Sequence, residues 1–208
     1  MPMANDDVYA AGLLNRALDP ATQPSEIQAF MRAEFDLLDD FIAAGTRVID
    51  VGCGMGRHLV WLSARLRLGL GVDYERTYIT EAVHRATAHL HFITCDATAI
   101  PVTAAFDYAI CLTNTWGTMS DKAGVLREMR RLAPRPGSRL LSVFSEASVG
   151  PRREWYRQLG HVVTEETGDY LLSGGGFRSE HFSEARLRGL VGDCDIRPLA
   201  GIAHAVRF

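Results

Sequence analysis

The chain has 208 residues, a net charge of −3, and 47% apolar against 23% charged residues. That is enough apolar material for a sizeable core in one domain, or in one domain with a small lid. The mild acidity excludes a global electrostatic footprint for nucleic acid or anionic membrane, and no apolar run reaches membrane-spanning length.

Cys53, Cys95, Cys111 and Cys194 form no C-x-x-C pair, so neither a zinc site nor a dithiol motif is expected. Free thiols fit a reducing compartment. The opening MPMANDDVYA carries acids where a secretory signal needs a basic region, which predicts a cytoplasmic location. Lys122 is the only lysine, so nearly all positive charge is arginine.

Residues 5–18 read as a short helix with Leu14, Ala17 and Leu18 on one side, broken by Pro20 and Pro24. Ser25 with Gln28 predicts a capping box. From there Ile27, Phe30, Met31, Phe35, Leu38, Phe41 and Ile42 recur at helical spacing, with Gly45 as the stop. Residues 47–52 form a short β-branched run entering a glycine turn. A helix from His58 to Leu66 follows, then a strand at 70–73, a helix at 77–88 and a strand at 91–95. A fourth strand covers 106–112, a helix 121–132, and a fifth strand 140–144. This alternation predicts an α/β fold with a parallel sheet and right-handed crossovers. The tail differs. Residues 170–172 and Phe177 flank Ser173-Gly174-Gly175-Gly176, a hairpin or mobile loop; Ser183 caps a helix through Val191; strands near 195–198 and 201–208 close the sheet.

The strongest signal is Asp50-Val51-Gly52-Cys53-Gly54-Met55-Gly56-Arg57. Glycines after a strand let a ligand approach the backbone closely. The dinucleotide pattern is G-x-G-x-x-G. Here the third glycine comes one residue early, and Arg57 stands in its place. The resulting D-x-G-x-G-x-G resembles the first motif of class I S-adenosylmethionine-dependent methyltransferases. The resemblance implies S-adenosylmethionine as cofactor, its methionine part against Asp50, Gly52, Cys53, Gly54 and Gly56. Asp73, followed by Tyr74, ends the second strand, where a carboxylate can accept from both ribose hydroxyls. Asp96 and Ala97, in Asp96-Ala97-Thr98-Ala99-Ile100-Pro101, resemble the family's D-A-x-x-x-P segment, which holds the adenine edge.

Residues 106–117 (FDYAICLTNTWG) resemble the fourth-strand region of glycine- and sarcosine-type small-molecule N-methyltransferases. This implies that Leu112 and Asn114 face cofactor and acceptor, with Thr115 and Trp116 beside them, and makes Asn114 a candidate catalytic residue. Trp116 is the candidate aromatic face for the sulfonium; packing under the next helix is the alternative. Methyl transfer mainly requires alignment in a water-poor pocket, and a base is optional for a neutral amine. No N-P-P-Y or D-P-P-Y follows the strand; such a tetrapeptide resembles the signature of enzymes methylating planar amino groups of bases or glutamine amides, so its absence lowers a nucleic-acid substrate.

Arg152, Arg153 and Tyr156 follow the fifth strand and are candidates for an acceptor carboxylate. His181 is a candidate general base, and Tyr9 a contact from an N-terminal cap. The resemblance implies a Rossmann-like seven-stranded sheet of order 3-2-1-4-5-7-6 with its last hairpin antiparallel. The organisation expected is one domain: a helical cap over 1–45, a cofactor core over 46–145, and a substrate-side region with a lid or hairpin over 146–208. The expected function is methyl transfer to a small molecule, nitrogen slightly preferred over oxygen, by a monomer or homodimer. A protein or RNA methyltransferase, an inert cofactor-binding subunit and an NAD-dependent oxidoreductase remain as alternatives.

Overall fold

The computed structural model describes residues 13–208. Tyr9 and the first part of the predicted N-terminal helix lie outside the described residues. Helix α1 (Leu13–Leu18) and helix α2 (Ser25–Phe41) precede strand β1 (Arg47–Val51). The capping box does not form. Pro24 occupies the cap position, the Ser25 hydroxyl donates to Glu26, and Gln28 Nε2 donates to the carbonyls of Pro20 and Gln23. Helix α2 buries Ile27, Phe30, Met31, Glu34 and Leu38, a continuous stripe of one helical face with a carboxylate in its middle.

The alternating region then runs α3 (Arg57–Leu62), β2 (Leu68–Asp73), α4 (Arg76–His84), β3 (Leu90–Thr94), β4 (Tyr108–Cys111), α5 (Thr115–Thr118), α6 (Lys122–Leu132), β5 (Arg139–Phe144) and α7 (Val149–Gln158). Strands β1 to β5 pair in parallel. The tail holds β6 (Val163–Glu166), β7 (Tyr170–Ser173), β8 (Arg178–Glu180), α8 (Glu184–Val191), β9 (Asp195–Leu199) and β10 (Ala203–Arg207). Ser183 caps α8, its hydroxyl accepting from Arg186 N.

The main sheet has seven strands in the order β3-β2-β1-β4-β5-β10-β9, with β10 antiparallel to both neighbours. The last two places therefore go to the tenth and ninth strands of the chain, not to a seventh and sixth. The difference comes from β6, β7 and β8, which form a separate three-stranded antiparallel sheet where a hairpin or loop was expected.

Strand alternation assigns side chains to the two faces of the main sheet. Ile49, Val51, Cys111, Leu141 and Val143 pack with α6 and α8 on one face. Val48, Ile110, Leu140 and Phe144 pack with α2, α3 and α7 on the other. Asp50 and Ser142, two residues along from Val48 and Leu140, share that second face. Strand order reverses between β1 and β4, and their carboxyl ends define the crevice where such sheets bind ligands.

Candidate functional site

The turn after β1 is built by left-handed glycines. Gly52, Gly54 and Gly56 have φ of +72°, +53° and +76°. A Cβ on Gly52 would come within 2.2 Å of the Thr115 methyl, and one on Gly56 within 2.6 Å of the Phe92 ring. These two glycines are thus required by neighbouring protein atoms. Gly56 packs beneath the turn and does not line the cavity.

Asp73 joins the turn to the tip of β2. Its Oδ2 accepts from Gly54 N at 2.8 Å and its Oδ1 from Glu75 N at 3.0 Å. Burial raises the Asp73 pKa, and these two backbone donors oppose the rise. Asp96 at the β3 tip accepts from Thr98 N and Thr98 Oγ1 on one oxygen only, each at 2.8 Å. Each carboxylate has about four lone-pair sites, so both retain acceptor capacity. Asp50 is 1% exposed, and neither of its oxygens has a hydrogen-bond partner. The His58 ring lies beside it, with Nδ1 3.5 Å from Asp50 Oδ2.

A cavity of about 820 Å³ opens over these strand tips. Gly52, Cys53, Gly54, Asp73 and Tyr74 line it on one side of β1. Asp96, Ala97, Leu112 and Asn114 continue the wall. Asp50 lies one layer beneath it. The far end is lined by Trp155, Tyr156, Leu159, His161 and Phe177, with Ser179 of β8. Burial, and then the charge of Arg16, lower the His161 pKa, which favours a neutral imidazole there.

Four expectations on this side are corrected. Trp116 is fully buried, stacked on Phe182 at 5.2 Å, and its Nε1 donates to Lys122 O. It packs under α6 and does not line the cavity. Arg152 is also fully buried. Its guanidinium donates to Ser179 and Glu180 and lies 2.8 Å from His181 Nδ1, so it does not meet an acceptor directly. His181 is 2% exposed and turned to Arg152, which leaves it without access to a reacting atom. Asn114 is 1% exposed with both ends of its amide engaged by protein, so its side chain positions the strand tip and carries no proton.

The sequence reading missed the cluster beneath the β4 tip. Glu34 Oε1 accepts from Thr113 N at 2.5 Å and from the Ser142 hydroxyl; Oε2 accepts from Thr113 Oγ1 at 2.8 Å and from Arg57. His58 Nε2 stands 3.6 Å from the same oxygen. Burial alone would push the Glu34 carboxyl up. The Arg57 charge, with the nearby His58 ring and the hydrogen bond from Ser142, overcomes this and holds it down at about 2. The cluster has a conformational purpose: Thr113 and Asn114 both have positive φ, +55° and +57°. Such a conformation costs on the order of 1–3 kcal/mol for a non-glycine residue, and a β-branched residue rarely adopts it. Glu34 satisfies both the amide and the hydroxyl of Thr113 in that geometry. The only sequence signal was an acid inside the apolar stripe of α2.

The donor set suits S-adenosylmethionine. Asp73 and Asp96 keep acceptor lone pairs free at the strand tips, the chemistry that ribose hydroxyls and an adenine edge would need, and the Asp50 carboxyl lies behind the turn.

Residues 48–137, from β1 to the turn before β5, match the family described as a methyltransferase domain. Among solved structures, the PH0226 protein of Pyrococcus horikoshii superposes with a TM-score of 0.69 at 16% identity, over 93% of this chain and 96% of that one. A methyltransferase of Thermotoga maritima, described as a possible histamine N-methyltransferase, gives 0.63 at 16% identity over 88% and 89%. Magnesium protoporphyrin IX methyltransferase of Synechocystis, solved with S-adenosylhomocysteine bound, gives 0.65 at 17% over 98% and 96%. At these identities the likeness is one of fold. The family match falls on the strand, glycine turn and acids that build the cavity wall, and the chain is an enzyme that transfers methyl groups from S-adenosylmethionine.

Proposed function

We propose that the methyl acceptor is a small molecule, with nitrogen preferred over oxygen as the receiving atom. The observation that carries this reading is the aromatic lining of the cavity, Trp155, Tyr156 and Phe177. The cavity volume lies in the upper part of the roughly 300–1,000 Å³ range of small-ligand pockets, so cofactor and a modest acceptor fit together. The arginines that gather on the surface, Arg47, Arg67 and Arg135 around Asp107, stand at the opposite end of the strands from the cavity. A nucleic-acid backbone would need them near its mouth.

When bound, the cofactor supplies a methyl group on a positively charged sulfur, already activated for displacement. The chain then has to orient and to exclude water. Asp73 and Asp96 would hold the cofactor's nucleoside. Leu112 and the left-handed Thr113-Asn114 pair form the floor between cofactor and acceptor. Trp155, Tyr156 and Phe177 wall off the acceptor. Nitrogen is favoured because a neutral amine needs no base before attack, whereas a hydroxyl does. His181, the imidazole expected to fill that role, is held away from the cavity by Arg152. His161 remains on the wall, its lowered pKa favouring a neutral ring. The fourth-strand resemblance to glycine- and sarcosine-type enzymes supports the same preference.

The test is transfer of labelled methyl to a panel of amines, phenols and carboxylates, beside peptide and RNA pools. Label on amines is expected. Label recovered only in peptide or RNA would overturn the reading, as would tight cofactor binding with no turnover on any member.

A further inference from the structure

The far end of the cavity holds one hydroxyl whose proton has a single direction left. Ser179 of β8 is 1% exposed and lines the cavity. Its Oγ accepts from Arg152 Nη1 at 2.9 Å and from Asn114 Nδ2 at 3.1 Å. The Asn114 amide cannot be reversed. Its Oδ1 accepts from Phe144 N at 2.9 Å, and its Nδ2 also donates to Glu180 O at 3.1 Å. A hydroxyl has one donor and two acceptor positions. Both acceptor positions are filled, and no described residue accepts from Ser179 Oγ. The O–H is left to the cavity.

Behind this hydroxyl sits a positive charge without a counter-ion. Arg152 forms no ion pair among the described residues. Its partners are neutral: Ser179, the Glu180 carbonyl, His181 Nδ1 at 2.8 Å, the Tyr156 side chain and the Phe144 ring at 4.9 Å. The nearby acids are committed elsewhere, Glu180 to Lys122 and Arg186, and Glu166 to Arg153. A guanidinium stays protonated, and burying it unpaired is unfavourable unless an anion arrives. A donor group hydrogen-bonded to a cation is also polarised into a stronger donor.

We infer that Ser179, with Arg152 behind it, is the specificity residue for an acceptor that carries a carboxylate near the methylated atom. This rests on the small-molecule reading above. Arg152 acts only through Ser179, and the carboxylate oxygen takes the O–H that the protein leaves unused.

The experiment is calorimetry on protein saturated with S-adenosylhomocysteine, using anthranilate against anthranilamide and tyrosine against tyramine. The carboxylates should bind about tenfold more tightly than their uncharged or decarboxylated partners, the order of a charge-assisted hydrogen bond. Ser179→Ala should erase most of that gap and leave S-adenosylhomocysteine affinity unchanged; Ser179→Thr should keep it. The parent protein alone already decides the matter if Ser179→Ala fails to fold. Equal affinity for both members of each pair, with methyl still transferred to small amines, would overturn this inference and leave the small-molecule reading standing. No binding of any member, with label found in peptide or RNA, would overturn both.

Discussion

The two ends of the cavity are built by different means. Over β1, β2 and β3 the wall is mostly backbone: left-handed glycines, two amides on Asp73, and acids at successive strand tips. Over β4 and β5 it is held by side chains from distant parts of the chain, with Glu34 reaching Thr113 across 79 positions and Asn114 reaching Ser179 across 65. A backbone site serves one invariant ligand with few residues. A side-chain site is free to vary its ligand, but each member must be satisfied or the whole arrangement becomes unfavourable.

That contrast can be broken experimentally. The largest effect is expected at Glu34. Glu34→Ala leaves Arg57 unpaired and the Thr113 amide unsatisfied, and should destabilise the fold by roughly 3–5 kcal/mol in denaturant titration. The pH dependence gives a second reading. The Glu34 pKa is lowered from the ordinary 4.5 to about 2 on folding. A depressed carboxyl contributes stability that is complete above the unfolded value and is lost as pH falls through the folded one. Parent protein should therefore lose about 3 kcal/mol from this group between pH 4.5 and 2, and Glu34→Gln should flatten that segment of the curve. An unchanged acid profile would remove Glu34 as the anchor.

At the backbone end, Asp73→Ala should weaken S-adenosylhomocysteine binding about tenfold to a hundredfold with a much smaller change in stability. Unaltered affinity in calorimetry would show that the ribose is held elsewhere. The smallest effect belongs to Trp116→Phe. It keeps the stack on Phe182 and gives up one hydrogen bond to Lys122 O, so a loss of about 1 kcal/mol in stability and none in cofactor affinity is expected. A fall in affinity would return Trp116 to the cofactor wall.

Legibility in the sequence followed the same division. The glycine turn, Asp73 and Asp96 stand at the ends of consecutive strands, and their spacing is local, so one pass along the chain finds them. The parallel core was readable for the same reason, through alternating apolar runs. Trp116, Arg152 and His181 were drawn toward the cavity because strand ends face it, yet a residue one place further on points beneath it. Glu34 was passed over because an acid in an apolar stripe is visible as a partner only once Arg57, Thr113 and Ser142 are folded around it. The separate sheet β6-β7-β8 was only partly legible: its three consecutive glycines read as a hairpin or mobile loop, and they join β7 to β8, while nothing local signalled the pairing of β6 with β7.

The carboxylate on α2 also bears on how this architecture can be re-engineered. A cap segment transplanted from a relative would have to bring an acid at the matching turn of its helix, or Thr113 and Asn114 beyond the fourth strand would relax toward ordinary backbone angles. The leading helix is therefore less a removable cover than a fastener, and grafting experiments should treat it and the fourth-strand tip as one inherited part.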